Sequence, residues 1–159
     1  QKIANKAEGV EQNLNTLVKF FEDKAHILAT TPSIWPTKGY ISSAFTWRDD
    51  PFTGKRTFHA GMDVATPEGN PVFATADGTV ISRTNDATGG RTIKLNHGRG
   101  IVTVYCHLSK FQVKVGQKVK RGQIIGLVGS TGKAVGPHVH YEVRIDGKKV
   151  NPYYYILEE

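Results

Sequence analysis

The placement of glycine and proline constrains this chain more than any other feature. All but one of its seventeen glycines and all but one of its seven prolines fall after residue 35. Punctuation at that density predicts many short elements joined by tight turns and excludes a helical bundle. At 159 residues and 38% hydrophobic content, the chain suits one globular core with a short appendage.

Extended candidates recur at short spacing beyond that point: Tyr40–Phe45, Pro71–Thr75, Thr79–Arg83, Thr92–Asn96, Ile101–His107, Gln123–Val128 and His138–Ile145. Turn signals separate them, among them Ala76-Asp77-Gly78, Thr88-Gly89-Gly90, His97-Gly98-Arg99-Gly100 and Asp146-Gly147. This pattern predicts a mainly β, largely antiparallel sheet system. The stretch Val113–Gly126 resembles the turn-and-strand unit of biotinyl and lipoyl carrier domains. It lacks an acceptor lysine in its own signature at a hairpin tip, and reads as β scaffold.

The region before it is different. Ile3, Ala7, Val10, Leu14, Leu17, Phe21 and Leu28 follow alternating steps of four and three, broken only by Lys24, which predicts one amphipathic helix. It is either the end of a coiled coil continuing upstream or a helix packed on the β domain. Pro32 and Pro36 stop it, because proline lacks an amide donor and holds its predecessor extended. The boundary falls near Ser33, dividing the chain into a helical segment, 1–33, and a β domain, 34–159.

A single cysteine, Cys106, excludes an internal disulfide and a zinc site built mainly of thiolates. Any metal must be held by histidine and carboxylate. The formal charge of +7 suits a polyanionic partner. Zinc-finger spacing, a helix-turn-helix pattern and basic-aromatic RNA motifs are all missing, so charge alone supports nucleic acid, and no nucleic-acid partner is expected. No apolar run reaches the roughly 20 residues that span a bilayer. The chain begins with Gln1, as expected of a piece of a longer product.

Two clusters of residues carry chemistry. In His138-Val139-His140, strand alternation puts both imidazoles on one face. Such a pair also arises by chance on a surface. In His59-Ala60-Gly61-Met62-Asp63, an extended strand would hold the end residues about 13 Å apart, whereas zinc ligands must approach the ion to about 2 Å. The chain must fold back, and Gly61 is the residue expected to permit it. Together the clusters supply His, Asp and His with one tetrahedral position open, the catalytic rather than the structural arrangement of zinc. In the run Val102–His107, alternation sends Thr103, Tyr105 and His107 to one face and Val102, Val104 and Cys106 to the other, which is expected to be the core. Glu142 either orients a ligand from behind or is a solvated strand carboxylate. His26 and His97 read as exposed or structural, and Tyr153-Tyr154-Tyr155 as a cap on the sheet edge.

Three segments in order, His59-x-Gly-x-Asp63, Tyr105-x-His107-Leu108-Ser109 and Gly132-x-x-x-Gly136-Pro137-His138-x-His140-Tyr-Glu, resemble the lysostaphin and LytM-type zinc endopeptidases of peptidoglycan. The resemblance covers roughly Trp35 to Tyr155. It implies an antiparallel two-sheet catalytic domain with a glycine-rich groove, preceded here by the N-terminal amphipathic helix. It implies one zinc ion per chain held by His59, Asp63 and His140, with His107 and His138 as the catalytic acid/base and transition-state groups. Spacing alone does not say which histidine of the second cluster is the ligand; the resemblance does. Its reaction is hydrolysis of peptide stems or cross-bridges of peptidoglycan by metal-activated water, in a periplasmic or extracellular part of the cell envelope, with membrane anchoring upstream as a further expectation. Cys106 and Val135 depart from the usual pattern without touching an expected ligand. Related proteins with degenerate sites are coiled-coil activators of wall amidases, an alternative that the complete ligand set here opposes.

Overall fold

The computed structural model describes residues 2–157. Helix α1 (Lys2–Ala29) spans the stretch of alternating four- and three-residue steps, and none of its residues is buried. Leu14, Leu17 and Phe21 keep 49–60% of their surface in water. Only its C-terminal end is tied down. The Asp77 amide donates to the Ala29 carbonyl at 2.9 Å, and Arg99 donates to the Ile27 carbonyl and to the Thr30 and Thr31 hydroxyls. A guanidinium suits that place, because the last carbonyls of a helix lack intrahelical donors and carry the negative end of its dipole. The apolar stripe therefore does not pack on the β domain, one of the two placements expected of it.

Twelve strands follow among the described residues: β1 (Tyr40–Ser43), β2 (Trp47–Asp49), β3 (Arg56–Phe58), β4 (Met62–Ala65), β5 (Pro71–Phe73), β6 (Gly78–Asp86), β7 (Gly90–Gly98), β8 (Ile101–Phe111), β9 (Lys118–Val119), β10 (Ile124–Val128), β11 (His138–Ile145) and β12 (Lys148–Val150). Ten form one sheet in the order β1-β4-β11-β8-β7-β6-β9, with β12 beside β11 and β10 joining β8 to β5. Strands β2 and β3 make a separate hairpin. Every pairing is antiparallel, so the expected two-sheet architecture is present with very unequal sheets. Arg99-Gly100 and Asp146-Gly147, all at positive φ, make the tight links β7–β8 and β11–β12. Paired positive φ is what a two-residue turn needs to match strand twist.

The core lies under one face of the large sheet. Met62 pairs with Tyr141 and Val64 with Val139 across β4 and β11, and all four are fully buried beside Val72, Ile93, Leu95, Leu108 and Ile125. Val113, Val119 and Ile125 place the carrier-like stretch in this core as scaffold. One polar chain runs through it. The Thr75 hydroxyl lies 3.0 Å from the Tyr105 hydroxyl and 2.8 Å from that of Tyr141. Thr103 links Tyr105 to His97, whose other nitrogen donates to the Asp77 carbonyl. Every member finds a partner, the condition under which buried polar groups are tolerated.

The faces of β8 are reversed from the alternation expected of them. Tyr105 and Thr103 point into the core, opposite Tyr141 and Val143, whereas Cys106 is opposite His140 on the other face. His107 nevertheless leaves the core. The β7–β8 register passes from Ile93↔Tyr105 to Arg91↔Leu108, giving β8 one extra residue, and His107 takes a left-handed φ of 65°. A bulge of this kind turns a side chain against the alternation. Cys106 is still buried, with its thiol pushed up to about 11 by burial, which keeps it inert.

Candidate metal centre

Strands β4 and β11 build the site by register. Asp63 is directly opposite His140, and Ala65 opposite His138. Since Met62, Val64, Val139 and Tyr141 fill the core on one face, Asp63, His138 and His140 must share the other. His59 enters from the segment just before β4. Its chain does fold back, but not because Gly61 adopts a left-handed conformation; the φ of Gly61 is not positive. Gly61 is needed because a Cβ there would lie 2.5 Å from Cε1 of the His140 ring. The absent side chain makes room for the ligand.

The candidate ligand atoms form a triangle. His59 Nε2 is 3.1 Å from His140 Nδ1, His140 Nδ1 is 2.8 Å from Asp63 Oδ1, and His59 Nε2 is 3.2 Å from Asp63 Oδ1. Bonds of about 2.0–2.1 Å at tetrahedral angles require separations of about 3.3 Å, so small outward shifts admit a zinc ion. Among the described residues this is the group of three placed to hold a metal. Asp63 and His59 are both 6% exposed. Burial raises the Asp63 carboxyl, but hydrogen bonds from His140 and His59 outweigh it and hold the group far below the usual carboxylate range. Arg48 Nη1 adds a contact to Asp63 Oδ2 at 3.3 Å while donating to the Ser43 hydroxyl at 2.8 Å.

Four imidazoles converge on the site, three of them lining a groove, and each has its remote nitrogen engaged. His59 Nδ1 donates to the Ala44 carbonyl at 2.9 Å, His107 Nδ1 to the Thr131 carbonyl at 2.7 Å, and His138 Nδ1 to the Gly136 carbonyl at 2.8 Å. His140 is turned the other way, with Nε2 3.0 Å from Glu142 Oε1. A carbonyl accepts only, so the donations of His107 and His138 fix their tautomers and leave Nε2 of each with a free lone pair, while His59 Nε2 faces Asp63 Oδ1 and His140 Nδ1. The His107 and His138 rings sit 4.7 Å apart. Burial pushes the His107 pKa down, keeping that ring neutral.

Asp63, His107, His138 and His140 line a groove of about 530 Å³, walled by Pro51 and Phe52 from the β2–β3 turn and by Val135, Gly136 and Pro137 opposite, with His59 behind it. Arg48 and Lys133 are its cationic side chains. A hollow of similar size beside Trp35 and Phe73 contains no potential metal ligand. His26 and His97 lie away from the groove, and Pro152–Tyr155 form a 3-10 turn in which Tyr153 meets Trp35 and Tyr155 packs at the core edge, while Tyr154 is exposed. Sequence reasoning missed Arg48: a lone arginine in a three-residue strand carries no pattern, and only the fold brings it to Asp63.

The profile of Peptidase family M23 matches residues 57–152. The peptidoglycan DD-endopeptidase ShyA of Vibrio cholerae is 39% identical over 153 residues, 94% of this chain and 36% of that protein. The crystal structure of a zinc-containing peptidase from Vibrio cholerae is 40% identical, with a TM-score of 0.71 over 77% of this chain and 39% of that one. The catalytic domain of lysostaphin from Staphylococcus simulans is 31% identical, with a TM-score of 0.67 over 74% of this chain and 91% of that one. The chain spans 24–36% of the length of the first curated relatives it matches. The profile match over residues 57–152, together with this shared fold, places the chain in peptidase family M23.

Proposed function

We propose that this chain is a zinc-dependent endopeptidase that hydrolyses peptide cross-links of bacterial peptidoglycan in the cell envelope. The observation that carries the reading is the His59–Asp63–His140 triangle with Nε2 of His107 and His138 free beside it. Zinc, when bound there, supplies a Lewis acid that polarises a carbonyl and acidifies water. His107, neutral and fixed by Thr131, takes a proton from the attacking water at Nε2 and returns it to the leaving amine. His138, fixed by Gly136, faces the same space and orients the attacked group beside His107. The groove walls orient the substrate chain and exclude water on both sides.

Relatives named DD-endopeptidases make the bond between D-amino acids the first substrate to test. Arg48 and Lys133 suit that class, because stem peptides carry free carboxylates that glycine bridges lack. Helix α1 (with residues 1–33 as its segment) is an arm outside the peptidase domain, 34–159, and not part of its core. Its unpartnered stripe suits a coiled coil formed with an upstream region of the full protein.

The test is mass spectrometry of fragments released from purified peptidoglycan, run beside H140A and a chelator-treated control. New peptide termini absent from both controls support the reading and name the bond. No release from walls of several cross-link types by zinc-loaded protein refutes it, and leaves the amidase-activator alternative.

A further inference from the structure

Three of the four imidazoles of the site are fixed by main-chain carbonyls. The fourth, His140, is fixed by a carboxylate. Glu142 is two residues along β11 on the same face, and its side chain is 8% exposed. It does not line the groove, so it touches no substrate there. Its Oε2 accepts from Arg144 Nε at 2.9 Å and Nη2 at 2.7 Å. Its Oε1 meets His140 Nε2 at 3.0 Å and Lys149 Nζ at 3.3 Å. Arg144 and Lys149 are themselves cross-strand partners on β11 and β12, so the carboxylate is gripped from outside by two cations while one oxygen is aimed at the ring.

We infer that Glu142 is a positioning residue that sets zinc affinity through His140. The inference rests on the zinc-peptidase reading above. A hydrogen bond from the ring to a carboxylate fixes the orientation that presents Nδ1 to the metal, and pushes electron density toward it, making a better donor than a carbonyl partner would. The Arg144 fork prevents Glu142 from turning instead to solvent or into the metal position. A purely structural ion pair with Arg144 and Lys149 would need no oxygen directed at His140.

The test is zinc competition against a chromophoric chelator, on the full chain, for the parent, E142Q and E142A. Gln keeps an oxygen for the ring N–H and loses the charge. Zinc binding is expected to weaken about 10-fold in E142Q and about 100-fold in E142A, with the circular dichroism of E142Q unchanged. Nitrogen-15 shifts of the zinc-loaded parent are expected to show His140 ligated through Nδ1 and protonated at Nε2, a signature that strand bracing alone would not set. E142Q binding zinc as tightly as the parent overturns the inference, as does ligation through Nε2. If E142A fails to fold, E142Q decides. A parent that binds no zinc overturns both this inference and the proposed reaction, whereas a parent that binds zinc, weakens as expected in E142Q and releases nothing from peptidoglycan overturns the reaction alone.

Discussion

Substituting Gly61 by alanine tests whether the site depends on one missing side chain. A Cβ at that position would lie 2.5 Å from Cε1 and 2.7 Å from Nε2 of His140. Carbon atoms in contact sit about 3.5 Å apart or more, so the ring must retreat by about 1 Å. Metal–ligand distances tolerate errors of about 0.2 Å, which such a retreat exceeds several-fold. Misplacement on this scale costs about 100-fold, and zinc affinity of G61A is expected to fall by about that factor. The φ of Gly61 is not positive, so alanine brings no left-handed strain; its Cβ would also sit 3.0 Å from the Tyr141 carbonyl oxygen, a contact that a shift of a few tenths of an ångström in the sheet relieves. Chelator competition measures the affinity and circular dichroism checks the fold. Folded G61A that binds zinc as tightly as the parent would refute the steric argument.

Other perturbations separate the remaining roles. In the metal-free chain, burial opposes a charge on His140, but Asp63 and Glu142 outweigh it and raise its pKa to about 9. The ring thus keeps a proton at neutral pH that zinc must displace, and affinity is expected to rise about tenfold per pH unit up to that pKa and then level, as isothermal titration at several pH values would show. H107A is expected to lower turnover by about 10²–10⁴-fold while retaining zinc; metal analysis showing zinc loss would remove His107 from the acid/base role. T75V strips the Tyr141 hydroxyl of its Thr75 partner and is expected to cost about 1–3 kcal/mol in urea unfolding, more than Y141F. Deleting residues 1–29 is expected to leave zinc binding and hydrolysis intact, since no residue of α1 is buried; loss of turnover in a folded truncation would make the helix part of the catalytic unit.

The long, periodic parts of this fold were legible in the sequence. The α1 spacing ran from Ile3 to Leu28 against an observed Lys2–Ala29, and His138–Ile145 coincides with β11. Five strands went unseen, β2, β3, β4, β9 and β12; two to four residues are too few to display alternation, and the equally short β1 and β5 were found only within longer extended stretches. One of them supplies Asp63, which was found through its chemistry instead. The faces of β8 were misjudged for a related reason. Thr and Tyr look polar, yet Thr103 and Tyr105 are buried because Thr75 and His97 satisfy their hydroxyls. Alternation then carried His107 to its correct surroundings only because a bulge cancelled the error, and no local signal marks that bulge. Glu142 was left open between two roles, since a partner on β12 cannot be read from β11.

The division between main-chain and side-chain acceptors has a consequence for how such a site can change over generations. The orientations of His59, His107 and His138 depend on carbonyls of Ala44, Thr131 and Gly136, which no codon at those positions can delete. They are inherited with the fold. His140 is oriented by side chains, Asp63 at Nδ1 and Glu142 at Nε2, so if Glu142 sets zinc affinity as inferred, a single base change there would retune metal retention while the neighbouring rings stay where they are. Lineages exposed to scarce or abundant zinc would have one inexpensive dial to turn, at a position that never meets the substrate.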